Sequence, residues 1–235
     1  MKLSVIIPVY NEEKTIGSVI QKVMAQPLLA AITSREIIVV DDGSTDTTAR
    51  VLSGLLSDSH GHVVVVTHTR NQGKGAAIRS AVAKVSGDIV LIQDADLEYD
   101  PAEYPLMLEP IVAGRADVVY GSRFSGQQAK RVIYFWHYLG NRFLTTLSNL
   151  TTNLNLTDME TGFKAFRADV IKELPLRSAR FGFEPEITAK VARRGLRVYE
   201  VGIGYNGRTY VEGKKITWVD GIRAIGSILR YWIGD

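Results

Sequence analysis

Apolar residues along this chain follow two rhythms. Short unbroken runs at 3–9, 37–40, 62–67, 89–92 and 117–120 predict five strands, and their continuity predicts that both faces of the sheet are covered. Between them the apolar spacing lengthens to three and four, predicting helices over 12–25, through Ala49, Val51 and Leu55, over 73–85 and over 101–113. The first of these carries its stripe on Ile16, Val19, Ile20 and Val23, with Asn11 as the expected N-cap; Asp100 before Pro101 is the expected cap of the last. Strand and helix alternating in this way predict an α/β fold, a mostly parallel central sheet flanked by helices.

Past Gly121 the rhythm changes. A polar loop at 122–130 leads into a helical stretch opened by Arg131 and rich in aromatics: Tyr134, Phe135, Trp136, Tyr138 and Phe143. A strand is expected at 161–166, then a helix with Pro185 in its first turn, reaching Arg194, where Glu184 and Glu186 complement the dipole. A last strand at 196–203 and a Gly-, Tyr- and Lys-rich loop at 204–215 follow. Trp218, Ile222, Ile225, Leu229 and Ile233 then oppose Asp220, Arg223, Ser227 and Arg230, the pattern of an amphipathic helix. The expected division is one domain over 1–215 and an appended helix over 216–235.

With 235 residues and 46% hydrophobic content, the chain can bury one sizeable core. It has no cysteine, which excludes disulfides, zinc thiolates and a thiol nucleophile, and its four histidines show no ligand spacing. The apolar run at 3–9 meets Asn-Glu-Glu rather than a small-residue cleavage site, and no run is long enough for a bilayer. The expected location is therefore the cytoplasm or the cytoplasmic face of a membrane. The net charge of +3 conceals a net of −5 over residues 1–119 and +8 over 120–235. An acidic half suits a cation, and a basic half suits a phosphorylated substrate or an anionic membrane surface. Without a basic stripe or a recognised module, nucleic acid is not an expected partner.

The chemistry gathers where strands end. After the run at 89–92 come Asp94, Asp96, Glu98 and Asp100, a carboxylate at every second position. If the backbone stays extended, Asp94 and Asp96 point to one side, and two carboxylates so placed call for a hard divalent cation, Mg2+ or Mn2+. The structural alternative is a solvated acidic turn; the position at a strand's carboxyl end favours a ligand. Asp41 and Asp42 end the second strand on the same sheet edge, where a carboxylate can accept from a ribose hydroxyl or a base N–H, while Asp46 reads as a turn or helix cap. Asn71-Gln72-Gly73-Lys74-Gly75 lacks the spacing of a nucleoside triphosphatase loop but allows backbone to approach a ligand.

VIIPVYNEE, VVDDGSTD, RNQGKGAA, LIQDADLEYDP, VVYGSR and DMETGFKAFR, in this order, resemble a family 2 glycosyltransferase, and within that family the polyprenyl- or dolichyl-phosphate mannosyl and glucosyl synthases. The resemblance runs from residue 1 to about 215. It implies a GT-A fold, a sugar nucleotide donor such as GDP-mannose or UDP-glucose, a divalent metal, inversion at the anomeric carbon and a polyprenyl or dolichyl phosphate acceptor. By position it places Pro8, Tyr10, Glu12, Asp41 and Asp42, with Lys74 and Asp94, at the nucleotide, and Asp94, Asp96 and Glu98 around the metal. Arg123 and Arg131 correspond to residues that take phosphate charge, and Arg208 and Lys214 fall in a mobile loop near the acceptor. Asp158 matches a proposed base, which a hydroxyl acceptor would require and a lipid phosphate would not; an Asx-type turn is its structural alternative. Glu98 stands where several mannosyl members carry Gln, which leaves the donor open. Two other readings stay open: a transferase with a soluble or glycan acceptor, and a sugar-nucleotide-binding partner of a membrane protein. A lipid acceptor further predicts that the aromatic stretch 134–143 and the helix from 218 lie against a bilayer surface, unless they pack on the domain.

Overall fold

Four strands end at one edge of the sheet because they run parallel and in register. The structure, a computed structural model, describes residues 1–58, 62–126, 128–132, 134–180, 182–213 and 218–234. β1 (Lys2–Val9) lies between β2 (Ser34–Asp41) and β4 (Ile89–Ile92), with β3 (Val63–Thr67) outside β2, all parallel; Ile6 pairs with Ile38 on one side and Ile92 on the other. β5 (Val118–Ser122), β6 (Lys164–Arg167) and β7 (Val198–Gly202) complete a seven-stranded sheet in the order β3-β2-β1-β4-β6-β5-β7.

The continuous apolar runs arise because the sheet is covered on both faces. Leu3, Val5, Ile7, Ile37, Val39, Ile89 and Leu91 face a core shared with α1 (Ile16–Ala25), α2 (Thr48–Asp58) and α4 (Tyr104–Val112). Ile6, Ile38, Val40, Val90 and Ile92 face the other, shared with α3 (Lys74–Val82), α6 (Ala168–Glu173) and α7 (Phe183–Arg193). Long-helix α5 (Phe135–Thr152) and α8 (Trp218–Ile233) extend this second layer and pack on each other and on α7. Ala224, Ile228 and Tyr231 form the buried stripe of α8.

β6 alone runs antiparallel to both its neighbours, pairing Lys164 with Ile92 and with Tyr120. Its beginning therefore lies beside the carboxyl ends of β4 and β5, which carries the loop at 158–162 to the acidic edge. Two local expectations are corrected, and one helix had not been expected. The first helix starts at Ile16 rather than residue 12, because Asn11 takes a left-handed φ of 52° and does not cap it; its N–H donates to Ser44 Oγ and its Oδ1 accepts from Thr45 N. The aromatic helix starts at Phe135 rather than Arg131, since Lys130 instead bridges to Tyr205. Helix α6, six residues directly after β6, had no signal long enough to separate it from the strand. Asp100 does cap its helix, accepting from Ala102 N at 3.0 Å.

Candidate active site

The turn after β4 is not extended. Leu97 adopts a φ of 63°, so the side-by-side alternation expected of Asp94, Asp96 and Glu98 is broken. Buried Gln93 holds the turn, donating to the carbonyls of Asp94 and Tyr99 and accepting from Tyr104 Oη. Asp94 turns toward Lys74, whose Nζ lies 2.8 Å from Oδ1, and the same ammonium lies 3.3 Å from Glu184 Oε1. Asp96 turns toward Arg208. Burial, then the charges of Asp94 and Glu98, push the Asp96 carboxyl up to about 7, an effect Arg208 only partly offsets.

Arg208 gathers three acids from two segments. Its guanidinium is 3.1 and 3.2 Å from the two oxygens of Glu12 and 3.2 Å from Asp96 Oδ2, and its backbone N–H donates to Glu98 Oε1 at 2.8 Å. Tyr205 Oη donates to the other Glu98 oxygen at 2.7 Å. Glu98, expected as a further metal ligand, thus anchors the loop at 204–213 in this structure. No three His, Asp or Glu side chains converge as a ready metal cage among the described residues. Asp94 and Asp96 remain hard oxygen donors, and the Asp94 charge acts on Asp96 despite their cationic partners, a fit for a divalent ion that completes its shell with phosphate oxygens.

Asp41 and Asp42 separate in role. Asp41 closes its own turn by accepting from Ser44 N. Asp42, expected at the nucleotide, is buried and wholly engaged: it accepts from Gln72 N, Gly73 N and His68 Nδ1 at 2.7–2.9 Å, so it fixes the loop that precedes Lys74. Gly73 is required there, with a φ of 101° and Ala179 O only 2.4 Å from where a Cβ would stand. Asp46 accepts from Thr48 N, the helix-capping role expected of it. Pro8 and Tyr10 lie at and just past the end of β1, beside Glu12 in sequence.

Arg123, directly after β5, makes a paired bond to Asp158, Nε to Oδ2 at 2.6 Å and Nη2 to Oδ1 at 2.7 Å. Asn141 from α5 adds a bond to Oδ1. Asp158 is fully buried, and both its oxygens serve Arg123 rather than facing open space as a base would. Tyr205 joins the two halves of the site, its ring 5.3 Å from the Arg123 guanidinium and its hydroxyl on Glu98. Arg131 lies apart from this pair, bonded to Gly207 O and Glu212 on the 204–213 loop. Lys214 lies outside the described residues.

Sequence reasoning missed three contributors. Glu184, read only as a dipole partner, is buried with Oε2 lacking a partner; Glu160 likewise has an unpartnered buried Oε1. Burial and Glu184 push the Glu160 carboxyl up to about 8, and burial pushes the Lys164 ammonium down to about 8. Lys164 donates to the carbonyls of Met159 and Thr161 and so shapes the loop that holds Glu160. No pattern in the sequence marks these residues, because the antiparallel β6 brings in Glu160 and Lys164, and the packing of α7 on α3 brings in Glu184.

Away from the acids, Val132, Phe135, Trp136, Phe143 and Leu150 are exposed on and before α5, and Ile222, Trp232 and Ile233 on α8. No helix among the described residues is long and apolar enough to cross a membrane.

Residues 4–175 match the profile of glycosyl transferase family 2. Curated relatives include the undecaprenyl-phosphate 4-deoxy-4-formamido-L-arabinose transferases of Sodalis glossinidius, 31% identical over 84% of this chain, and of Yersinia pestis, 29% identical over 82%. The chain spans 58% and 57% of the length of these relatives. Among solved structures, glucosyl-3-phosphoglycerate synthase from Mycobacterium tuberculosis, in complex with Mn2+, UDP and glucosyl-3-phosphoglycerate, superposes with a TM-score of 0.74 at 24% identity. That match covers 100% of this chain and 81% of the synthase, so the chain has the GT-A fold.

Proposed function

Because this chain belongs to glycosyl transferase family 2, we propose that it moves a hexose, with inversion, from GDP-mannose or UDP-glucose to a polyprenyl or dolichyl phosphate at the cytoplasmic face of a membrane. The observation that carries the choice of acceptor is the Arg123–Asp158 pair. A lipid phosphate already bears more than one negative charge near neutrality, its second pKa being about 6. Such a nucleophile needs to be held by cations rather than deprotonated, and a carboxylate spent on orienting an arginine suits that task. The names of the relatives, transferases that act with undecaprenyl phosphate, support the same reading.

In this reading Glu12 and Asp41 with Pro8 and Tyr10 line the nucleoside pocket, and Arg123, Arg131, Arg208 and Lys214 meet the phosphates of donor and acceptor. Asp94 and Asp96 would hold Mg2+ or Mn2+, which when bound would supply Lewis-acid stabilisation of the leaving nucleoside diphosphate. Lys74 tempers the charge of Asp94. Residues 1–215 form the catalytic unit and 216–235 the appended helix, whose exposed Trp232 and Ile233, with Phe135 and Trp136 of α5, rest on the lipid surface.

The test is transfer from radiolabelled UDP-glucose, GDP-mannose and UDP-N-acetylglucosamine to a short polyprenyl phosphate with Mg2+ or Mn2+ present. Label from one donor is expected to pass into the organic phase. Transfer to soluble glycans with none to the lipid would overturn the acceptor; donor binding without any transfer would favour a non-catalytic partner of a membrane protein.

A further inference from the structure

The beginnings of α3 and α7 are stitched together. Ala76 N donates to Ala179 O at 3.1 Å, and a Cβ at Gly75 would stand 2.2 Å from Ser178 O. Glu186 in turn pins this segment, accepting from Arg177 N and Ser178 N at 2.7 Å each and from Lys190 Nζ at 2.6 Å. The seam brings Glu184, in the first turn of α7, against Lys74, the first residue of α3. From there the lysine reaches Asp94.

Glu184 is costly where it stands. Its side chain is 5% exposed, one oxygen lies 3.3 Å from Lys74, and the other has no partner in the protein. The N-terminus of α7 already has Glu186 to complement its dipole, so the helix does not require a second buried carboxylate. What Glu184 does contribute is positional: one ammonium is shared between two carboxylates, and its ion pair with Glu184 holds it back from closing wholly on Asp94.

We propose that Glu184 is a positioning residue for cation and donor binding, acting through Lys74 to leave the Asp94 carboxylate enough negative charge to take a metal ion. The inference rests on the reading of Asp94 given under Proposed function. With Glu184 removed, the Lys74 ammonium is released to settle on Asp94 alone, where it competes with an incoming cation.

The experiment is Mn2+ binding to the full chain, in the presence of whichever of UDP or GDP the wild type binds, followed by the electron paramagnetic resonance of free Mn2+. Wild type, E184Q, K74M and the double variant are compared, with thermal midpoints recorded for each. E184Q is expected to weaken Mn2+ binding about tenfold when Lys74 is present and by less than about twofold in the K74M background, as for directly interacting charges. E184D, which keeps the charge, is expected to recover most of the loss, and K74M alone to tighten binding. An equal loss in both backgrounds, or a loss that follows the thermal midpoint, would assign Glu184 a structural role and overturn the proposal. If E184Q does not fold, unchanged Mn2+ affinity in K74M overturns it as well. A wild type that binds neither Mn2+ nor nucleotide defeats the underlying reading of Asp94, and the inference with it.

Discussion

Arg208 and Asp96 are 112 residues apart in sequence, and their side chains meet at 3.2 Å. The same guanidinium holds both oxygens of Glu12, so one arginine from the 204–213 loop occupies the ground between the expected nucleoside pocket and the expected metal ligands. If Asp96 takes a metal ion as proposed, the cation and this arginine compete for the same acid. R208A is therefore expected to tighten Mn2+ binding in the absence of nucleotide by about fivefold, the size of one partly screened ion pair, while lowering sugar transfer. Calorimetric titration of Mn2+ checks the first part; an affinity equal to wild type would show that Arg208 and the ion do not share the site.

Gly162 is required by proximity. A Cβ there would stand 2.0 Å from Asp94 Oδ2 and 3.0 Å from Lys74 Nζ, while its N–H donates to Tyr99 Oη. G162A must push the Asp94 carboxylate aside. We expect a folded protein with normal far-ultraviolet circular dichroism and a donor affinity reduced by about tenfold or more, since an ångström of misplacement is enough to lose that much. Unaltered donor binding by calorimetry would mean that Asp94 does not contact the donor.

Breaking the Arg123–Asp158 pair leaves a buried guanidinium without its counter-charge. D158N is expected to lose about 3 kcal/mol in denaturant unfolding and to raise the KM for polyprenyl phosphate more than that for the sugar nucleotide. R123K is expected to fare little better, because an ammonium cannot reproduce the paired geometry. A D158N enzyme with reduced kcat and an unchanged KM for lipid phosphate would instead mark Asp158 as a base.

Glu160 ties stability to pH. Burial, with the Glu184 charge, raises its carboxyl from 4.5 to about 8. The folded protein thus keeps a proton that the unfolded chain releases near 4.5, and the stability it contributes is complete below that value and lost as pH rises toward 8. E160Q removes this dependence, so its thermal midpoint is expected to exceed that of wild type by an amount that grows from pH 5 to pH 8. Lys164, pushed down to about 8 by burial, titrates with the opposite sign above that window. Parallel melting curves across the range would show that Glu160 is ionised in the fold.

The capping of the 101–112 helix by Asp100 was legible because a cap is a contact between near neighbours. So were β1, β2 and β4, whose unbroken apolar runs have no other stable use than a sheet covered on both faces. Asn11 was misread, and the partners of Asp42 went unforeseen, for a related reason: residue type announced a polar partner without saying which. Asn11 found the turn at Ser44 and Thr45, and Asp42 the loop at Gln72 and Gly73, each about 30 residues away.

By itself, then, the sequence determined the strand-helix order, the sheet edge at which the acids end and the residue types that gather there, since these follow from periodicity and local hydrogen bonding. The tertiary structure alone decided the pairings. The antiparallel β6 set Gly162 beside Asp94, the seam between α3 and α7 placed Glu184 on Lys74, and the 204–213 loop returned Arg208 to Asp96. Charges have no periodicity to reveal their partners; which carboxylate meets which cation depends on distances through space that only the packed sheet and its covering helices establish.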